Sequence, residues 1–215
     1  MKIGILGAGN MTRALAGKWV RAGHDVMVSG RDVSKAAALA AELGGGATSG
    51  SFADAVRFGD TLLVAIMTPG VMDALEAAGA DDSAFEGKVL IDCCNPVDIE
   101  TFRTYGNETD SLAERIQARA TGALVVKAFN LCQVAVWEMD PPAFDGRPLV
   151  VPTCSDDAEG AAPALTLVRD VGCEPMHLGP LYYSRSLEEM AAIVISRLFG
   201  GAPPTSVFNW IGPTS

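Results

Sequence analysis

Runs rich in Val, Ile and Leu, with little polar alternation inside them, recur at residues 2–6, 25–29, 61–66, 88–92, 122–127 and 148–152. Such runs read as strands buried on both faces. Between them lie Ala- and Leu-rich stretches at 10–22, 33–43, 70–78, 110–119 and 157–170, and a glycine follows Ala22, Leu43, Ala78 and Val171. Glycine just past such a stretch is a helix stop. Strand and helix in alternation predict an α/β fold, a parallel sheet covered by helices on both faces. A short strand is expected near 174–178, followed by a helix in "LEEMAAIVISRLFG", where Leu187, Met190, Ala191, Val194 and Leu198 share one stripe, widened by Ile193 and Ile195. That stripe serves either core packing or a dimer face. "GGAPPTS" at 200–206 reads as a loop.

Composition narrows the class. At 215 residues the chain can bury a substantial core as one domain without staples. Its net charge of -10 excludes nucleic acid and anionic membrane surfaces as expected partners, because both would repel it. No apolar run approaches the roughly 18 residues a membrane span needs, and the apolar patch in "MKIGILGAG" is too short, and too broken by glycine, for a signal peptide. The five cysteines, at 93, 94, 132, 154 and 173, are odd in number and lack a C-x-x-C pair, and only His24 and His177 could add imidazole ligands. Buried free thiols in a reducing cytoplasm are therefore expected, and no metal site.

The opening "MKIGILGAGNM" carries the first chemical signal. A strand runs into Gly7-Ala8-Gly9, and Asn10 and Met11 begin a helix whose free N–H groups and positive dipole end suit a pyrophosphate. Gly7 permits the tight turn and Gly9 lets phosphate approach. The third small residue of the dinucleotide fingerprint is replaced by Thr12, a departure at the point of closest helix–strand packing. At the end of the second strand, where a carboxylate would hold a ribose 2′-hydroxyl, the chain reads Ser29-Gly30-Arg31, with Lys35 one helical turn on. Arg31, Lys35 and Ser29 suit a 2′-phosphate, hence NADP rather than NAD. The alternative is a solvated surface shared with Asp32.

"MKIGILGAGNM", "VMVSGRD", "VLIDCCNPV", "VVKAFN" and "LGPLYYSRSLEEMA" together resemble the NADPH:coenzyme F(420) oxidoreductase family and the related NADP-binding domain of the STEAP metalloreductases, over nearly the whole chain. The resemblance implies a Rossmann-type doubly wound sheet with a short C-terminal helical extension. Residues 1–150 would be the NADP-binding part, and 151–215 a strand and helix extension completing the same domain and the acceptor pocket. It implies hydride transfer between NADP(H) and coenzyme F(420) or a flavin. Phosphate contacts fall on Gly7, Gly9, Asn10 and Met11, and 2′-phosphate contacts on Ser29, Arg31 and Lys35. Thr68 and Pro69, then Asn95, Pro96 and Val97, then Lys127, would line the rest of the cofactor site. Where a threonine usually follows "KAFN", this chain has Leu131 and then Cys132.

The residues themselves leave the acceptor open. Transfer between stacked rings needs proximity and a dry pocket more than an acid or base. Asn95 and Asn130 are candidate donors to an acceptor ring, with Cys132 and Leu181 as its apolar wall. A carbonyl or imine reductase needs a proton donor, and the Tyr-x-x-x-Lys pair is missing: Thr109, Ser186 and Leu187 stand four residues after Tyr105, Tyr182 and Tyr183. Lys127 is either a reductase-type lysine or a strand-end hydrogen-bonding group. His177 and Tyr182 are further candidate donors. The alternatives are an NADPH-dependent reductase of a small imine or carbonyl, or a non-catalytic NADP-binding module. A homodimer is expected through the helix at 187–198 and the tail, where Phe199, Phe208, Trp210 and Ile211 are too apolar for a free end.

Overall fold

A computed structural model describes residues 1–105 and 109–201. Its centre is a parallel sheet of β1 (Lys2–Leu6), β2 (Asp25–Ser29), β3 (Thr48–Gly50), β4 (Thr61–Val64), β5 (Val89–Asp92) and β6 (Leu124–Lys127), in the order β3-β2-β1-β4-β5-β6. The reversal of direction between β1 and β4 is the topological switch point of a Rossmann-type sheet, where ligands sit beyond the strands' C-terminal ends. The apolar runs become strands because both faces are covered. Ile3, Ile5, Leu63, Ile91 and Val126 are buried in one core cluster, while Leu62, Val64, Leu90 and Val125 are buried in the other.

One layer holds α1 (Asn10–Arg21), α2 (Val33–Leu43) and α7 (Ala162–Asp170), whose Leu15, Trp19, Leu39 and Leu167 join the first cluster. The other holds α3 (Phe52–Phe58), α4 (Val71–Ala77) and α5 (Leu112–Arg119), with Val56, Leu75 and Ile116 in the second. Trp19 donates its indole N–H to the Leu167 carbonyl at 3.0 Å, tying α1 to α7.

Beyond β6, the chain makes a short helix α6 (Val134–Glu138), a small hairpin of β7 (Ala143–Phe144) and β8 (Arg147–Pro148), and a separate parallel pair, β9 (Val150–Thr153) with β10 (Glu174–His177). The expected strand at 148–152 thus forms, but outside the main sheet. It meets β6 through an antiparallel bridge between Lys127 and Cys154. A 3-10 turn at Leu181–Tyr183 leads into α8 (Ser184–Phe199). The first half of α8 is buried at Leu187 and Ala191, whereas Ile193 and Phe199 are exposed. Residues 202–215, including Phe208, Trp210 and Ile211, lie outside the described residues. Among those described, no helix is long and apolar enough to cross a membrane.

Candidate functional site

Gly7 leaves β1 with φ +127, and a Cβ there would stand 2.1 Å from the Ala65 carbonyl oxygen. Only glycine turns the chain this close to the end of β4. Its N–H donates to the Ser29 carbonyl at 2.9 Å, so the loop is stitched to β2 as well. At Gly9, by contrast, a Cβ would meet nothing within 4 Å. No side chain caps the N-terminus of α1, so its first amides face open space. Thr12, the departure from the fingerprint, is buried and donates its hydroxyl to the Gly7 carbonyl at 2.8 Å. A threonine fits there because its one polar atom is satisfied by the loop that it packs beneath.

The loop opens onto a cleft of about 790 Å³, lined by Gly7, Ala8, Gly9, Gly30, Arg31, Asp32 and Lys35 on one side and by Phe52, Ile66, Met67 and Asp73 on the other. This is concave, glycine-floored space at a helix N-terminus with two cations at its rim, a donor set that fits a dinucleotide phosphate. Asp32 caps α2 by accepting the Lys35 N–H at 3.0 Å, which occupies one carboxylate oxygen and holds Arg31 and Lys35 on the same short turn. Phe52 and Asp73 were not singled out from the sequence. The available signal was Ser51, whose capping box with Asp54 starts α3 at Phe52.

Several expected contacts fall elsewhere. Ser29 is fully buried and its hydroxyl donates to the Ile5 carbonyl at 2.7 Å, so it fastens β2 to β1 and is not offered to a phosphate. Asn10 is exposed and accepts from Arg13 at 2.9 Å, while Met11 packs against the core. Neither lines the cleft, and only their backbone position remains of the expected role. Leu181 is 2 % exposed and sits in the second core cluster with Cys94 and Leu112. Its side chain is core, not an acceptor wall.

Past the cleft, the ends of β4, β5 and β6 carry a second group of polar residues. The Thr68 hydroxyl donates to the Asn95 carbonyl at 2.7 Å. Asn95 donates its amide to the Asn130 carbonyl at 2.8 Å, and Asn130 returns its own amide to Asn95 Oδ1 at 3.0 Å. Asn130 also donates to the Leu187 carbonyl at 3.0 Å. Two asparagines expected to face an acceptor are therefore paired with each other first. Pro69 is exposed beside Thr68, Pro96 is buried, and Val97 bridges to Thr104. Cys132 is half-buried, and burial pushes its thiol up to about 11. It packs against the first core cluster as a neutral thiol and is no nucleophile near neutral pH.

Of the two roles expected of Lys127, the structure shows the strand-end hydrogen-bonding group, and the cofactor contact implied by the resemblance is corrected. Its side chain is 0 % exposed, and its ammonium donates to Asp92 at 2.8 Å, to the Cys94 carbonyl at 2.6 Å and to Glu188 at 2.8 Å. With all three donors used it reaches no cofactor. Burial by itself would lower its pKa, but Asp92 and Glu188 more than offset this and hold it raised. Burial raises Glu188, and Asp92 adds to this against the opposing pull of Lys127, since two carboxylates share one ammonium. Glu188 also accepts the Leu112 N–H at 2.9 Å and the Ala113 N–H at 3.2 Å. The sequence signal for this cluster was a carboxylate ending the apolar run "VLID" and another inside "LEEMAAIV".

Comparison with known proteins bears on the fold and the dinucleotide cleft. Residues 2–96 match the family described as NADP oxidoreductase, coenzyme F420-dependent. Metalloreductase STEAP3 of Rattus norvegicus is 28 % identical over 187 residues, 87 % of this chain and 36 % of that protein. The chain thus spans about a third of the length of this curated relative. A crystal structure from Arthrobacter sp. FB24, provisionally described as an F420-dependent NADP-reductase, superposes with a TM-score of 0.81 at 28 % identity, covering 94 % of this chain and 96 % of that one. A reductive aminase from Aspergillus terreus, in complex with NADPH and ethyl-5-oxohexanoate, shares the fold at TM-score 0.67 and 22 % identity, covering 93 % of this chain and 62 % of its own. Fold, cleft and motifs point the same way: this chain is similar to the coenzyme F420-dependent NADP oxidoreductase family over residues 2–96, the segment that builds its dinucleotide cleft.

Proposed function

We propose that the protein transfers a hydride between NADP(H) and a deazaflavin- or flavin-type acceptor, with coenzyme F(420) the leading example. What supports this most is a glycine-floored cleft bearing Arg31 and Lys35, together with an Asn95–Asn130 pair at the ends of β5 and β6, beside which the lysine is fully engaged. Bound NADPH supplies a hydride, two electrons with one hydrogen nucleus, and the acceptor ring takes it together with a solvent proton. The chain's own part is positional. The α1 N-terminus and Gly9 hold the pyrophosphate, Arg31 and Lys35 hold the 2′-phosphate, and Thr68, Asn95 and Asn130 frame the reacting end. That is sufficient for transfer between stacked rings. Carbonyl or imine reduction asks for a proton donor, and Lys127 has none to give while its ammonium is held by two carboxylates.

The test is direct: NADPH is mixed with coenzyme F(420), and separately with FMN, and loss of the oxidised acceptor's absorbance is followed. Turnover with either supports the reading. Turnover only with a ketone and an amine would move the assignment to imine reduction. Tight NADPH binding with no turnover on any acceptor would leave a binding module. The working unit in this reading is a cytoplasmic homodimer, its contact formed by the exposed half of α8.

A further inference from the structure

Resting on that reading, we propose that Glu188 is a positioning residue for hydride transfer, acting through Lys127 and α8 on the Asn95–Asn130 pair. The connections are continuous. Glu188 receives the Lys127 ammonium, which also donates to the Cys94 carbonyl, one residue before Asn95. Next to Glu188, the Leu187 carbonyl accepts the Asn130 amide, and Asn130 and Asn95 are doubly bonded to each other. Asn95 in turn receives Thr68 from the β4 side. One buried carboxylate, 3 % exposed at its side chain, therefore pins α8 to the strand ends that frame the reacting edge from two directions.

The charged cluster lies outside the dinucleotide cleft. It is lined by residues of the β1, β2 and β4 ends, α2, α3 and α4, and none of Asp92, Lys127 and Glu188 touches it. Burying three charges is costly unless the geometry is kept, and the cost is spent at the acceptor end of the sheet. Loosening Glu188 should leave the dinucleotide bound and spoil the alignment at its reacting end, where a misplacement of about 1 Å can cost about a hundredfold in rate.

The experiment uses the full chain and Glu188→Gln, which keeps shape and removes the charge. Ser184→Ala is the control: Ser184 is buried on α8 and bonds Ser111 at 2.6 Å, so it weakens the same helix contact without touching the charges. Glu188→Gln should bind NADPH within about threefold of the parent. Transfer to coenzyme F(420) should fall about tenfold to a hundredfold, with a larger primary isotope effect from NADPH deuterated at the transferring carbon. Ser184→Ala should lower Tm and leave the isotope effect unchanged. Amide hydrogen exchange supplies an arm that needs no acceptor: Glu188→Gln should speed exchange at residues 93–97 and 128–132 and not at 7–13. If the parent turns over none of the acceptors, the functional reading fails and this arm still decides the positioning. Unchanged exchange at 93–97 and 128–132, or an unchanged isotope effect in an active variant, would overturn it. Should Glu188→Gln not fold, Glu188→Asp, with its carboxylate drawn back along a shorter side chain, is held to the same outcomes.

Discussion

Arg31 and Lys35 line the rim of the cleft on the loop and first turn after β2, with Asp32 between them committed to capping α2. A 2′-phosphate gains charged hydrogen bonds there, whereas a 2′-hydroxyl gains little. NADPH should therefore bind more tightly than NADH by about 1.5 to 3 kcal/mol, or about tenfold to a hundredfold. Arg31→Ala should remove most of that difference by weakening NADPH alone, and paired Kd measurements check it. Equal affinities in the parent would end the NADP assignment. Lys127 calls for a different measurement. Lys127→Met leaves Asp92 and Glu188 facing each other in the core, so urea unfolding should show a loss of about 3 to 5 kcal/mol. A variant as stable as the parent would mean that the cluster contributes nothing to the fold.

At the scale of elements, the two capping boxes make a comparison within one protein. Ser51 and Asp54 start α3, and Ser111 and Glu114 start α5, each with reciprocal side-chain and backbone bonds. Ser51 is exposed, while Ser111 is buried and also bonds Ser184 on α8. Ser51→Ala should cost about 1 kcal/mol and Ser111→Ala nearer 2, measured by the same denaturant titration. The reverse order would show that the α5–α8 contact adds nothing to the cap. These caps also mark where the sequence could be read and where it could not. The long apolar runs and the Ala-rich helices were legible, because burial on both faces leaves only a strand pattern and 3.6-residue periodicity only a helix. β3 and α3 were missed because "TSG" has no apolar run and "FADAVRF" spans only two turns. The separation of β9 and β10 from the main sheet depends on pairings across some 24 residues (Glu174 against Val150), which local pattern does not encode. The glycine loop was read correctly in place, but the cofactor contacts expected of Ser29 and Lys127 were not. Their polar groups find backbone and carboxylate partners from distant strands and helices, and no spacing within the sequence announces that.

For the whole molecule, exposed apolar side chains outside the dinucleotide cleft bear on the expected assembly. Ile99 is 61 % exposed, Ile193 54 % and Phe199 69 %, and Phe102 lies against Phe199 with ring centroids 5.9 Å apart. A groove of about 610 Å³ runs between Thr101–Thr104 and the face of α8 that bears Ala192, Ile193 and Ser196. Exposed apolar side chains on α8 and the loop beside it, in a chain of net charge -10, suit a partner surface, and a two-fold pairing of α8 is the simplest closed arrangement. Ile193→Glu places a carboxylate in the middle of that contact, close to Glu189 one turn earlier. Sedimentation at micromolar concentration should then show a dimer for the parent and a monomer for the variant. Because the groove is lined by no residue of the dinucleotide cleft, NADPH affinity should stay within about threefold. A parent that sediments as a monomer removes the dimer. A variant that stays dimeric moves the contact away from α8.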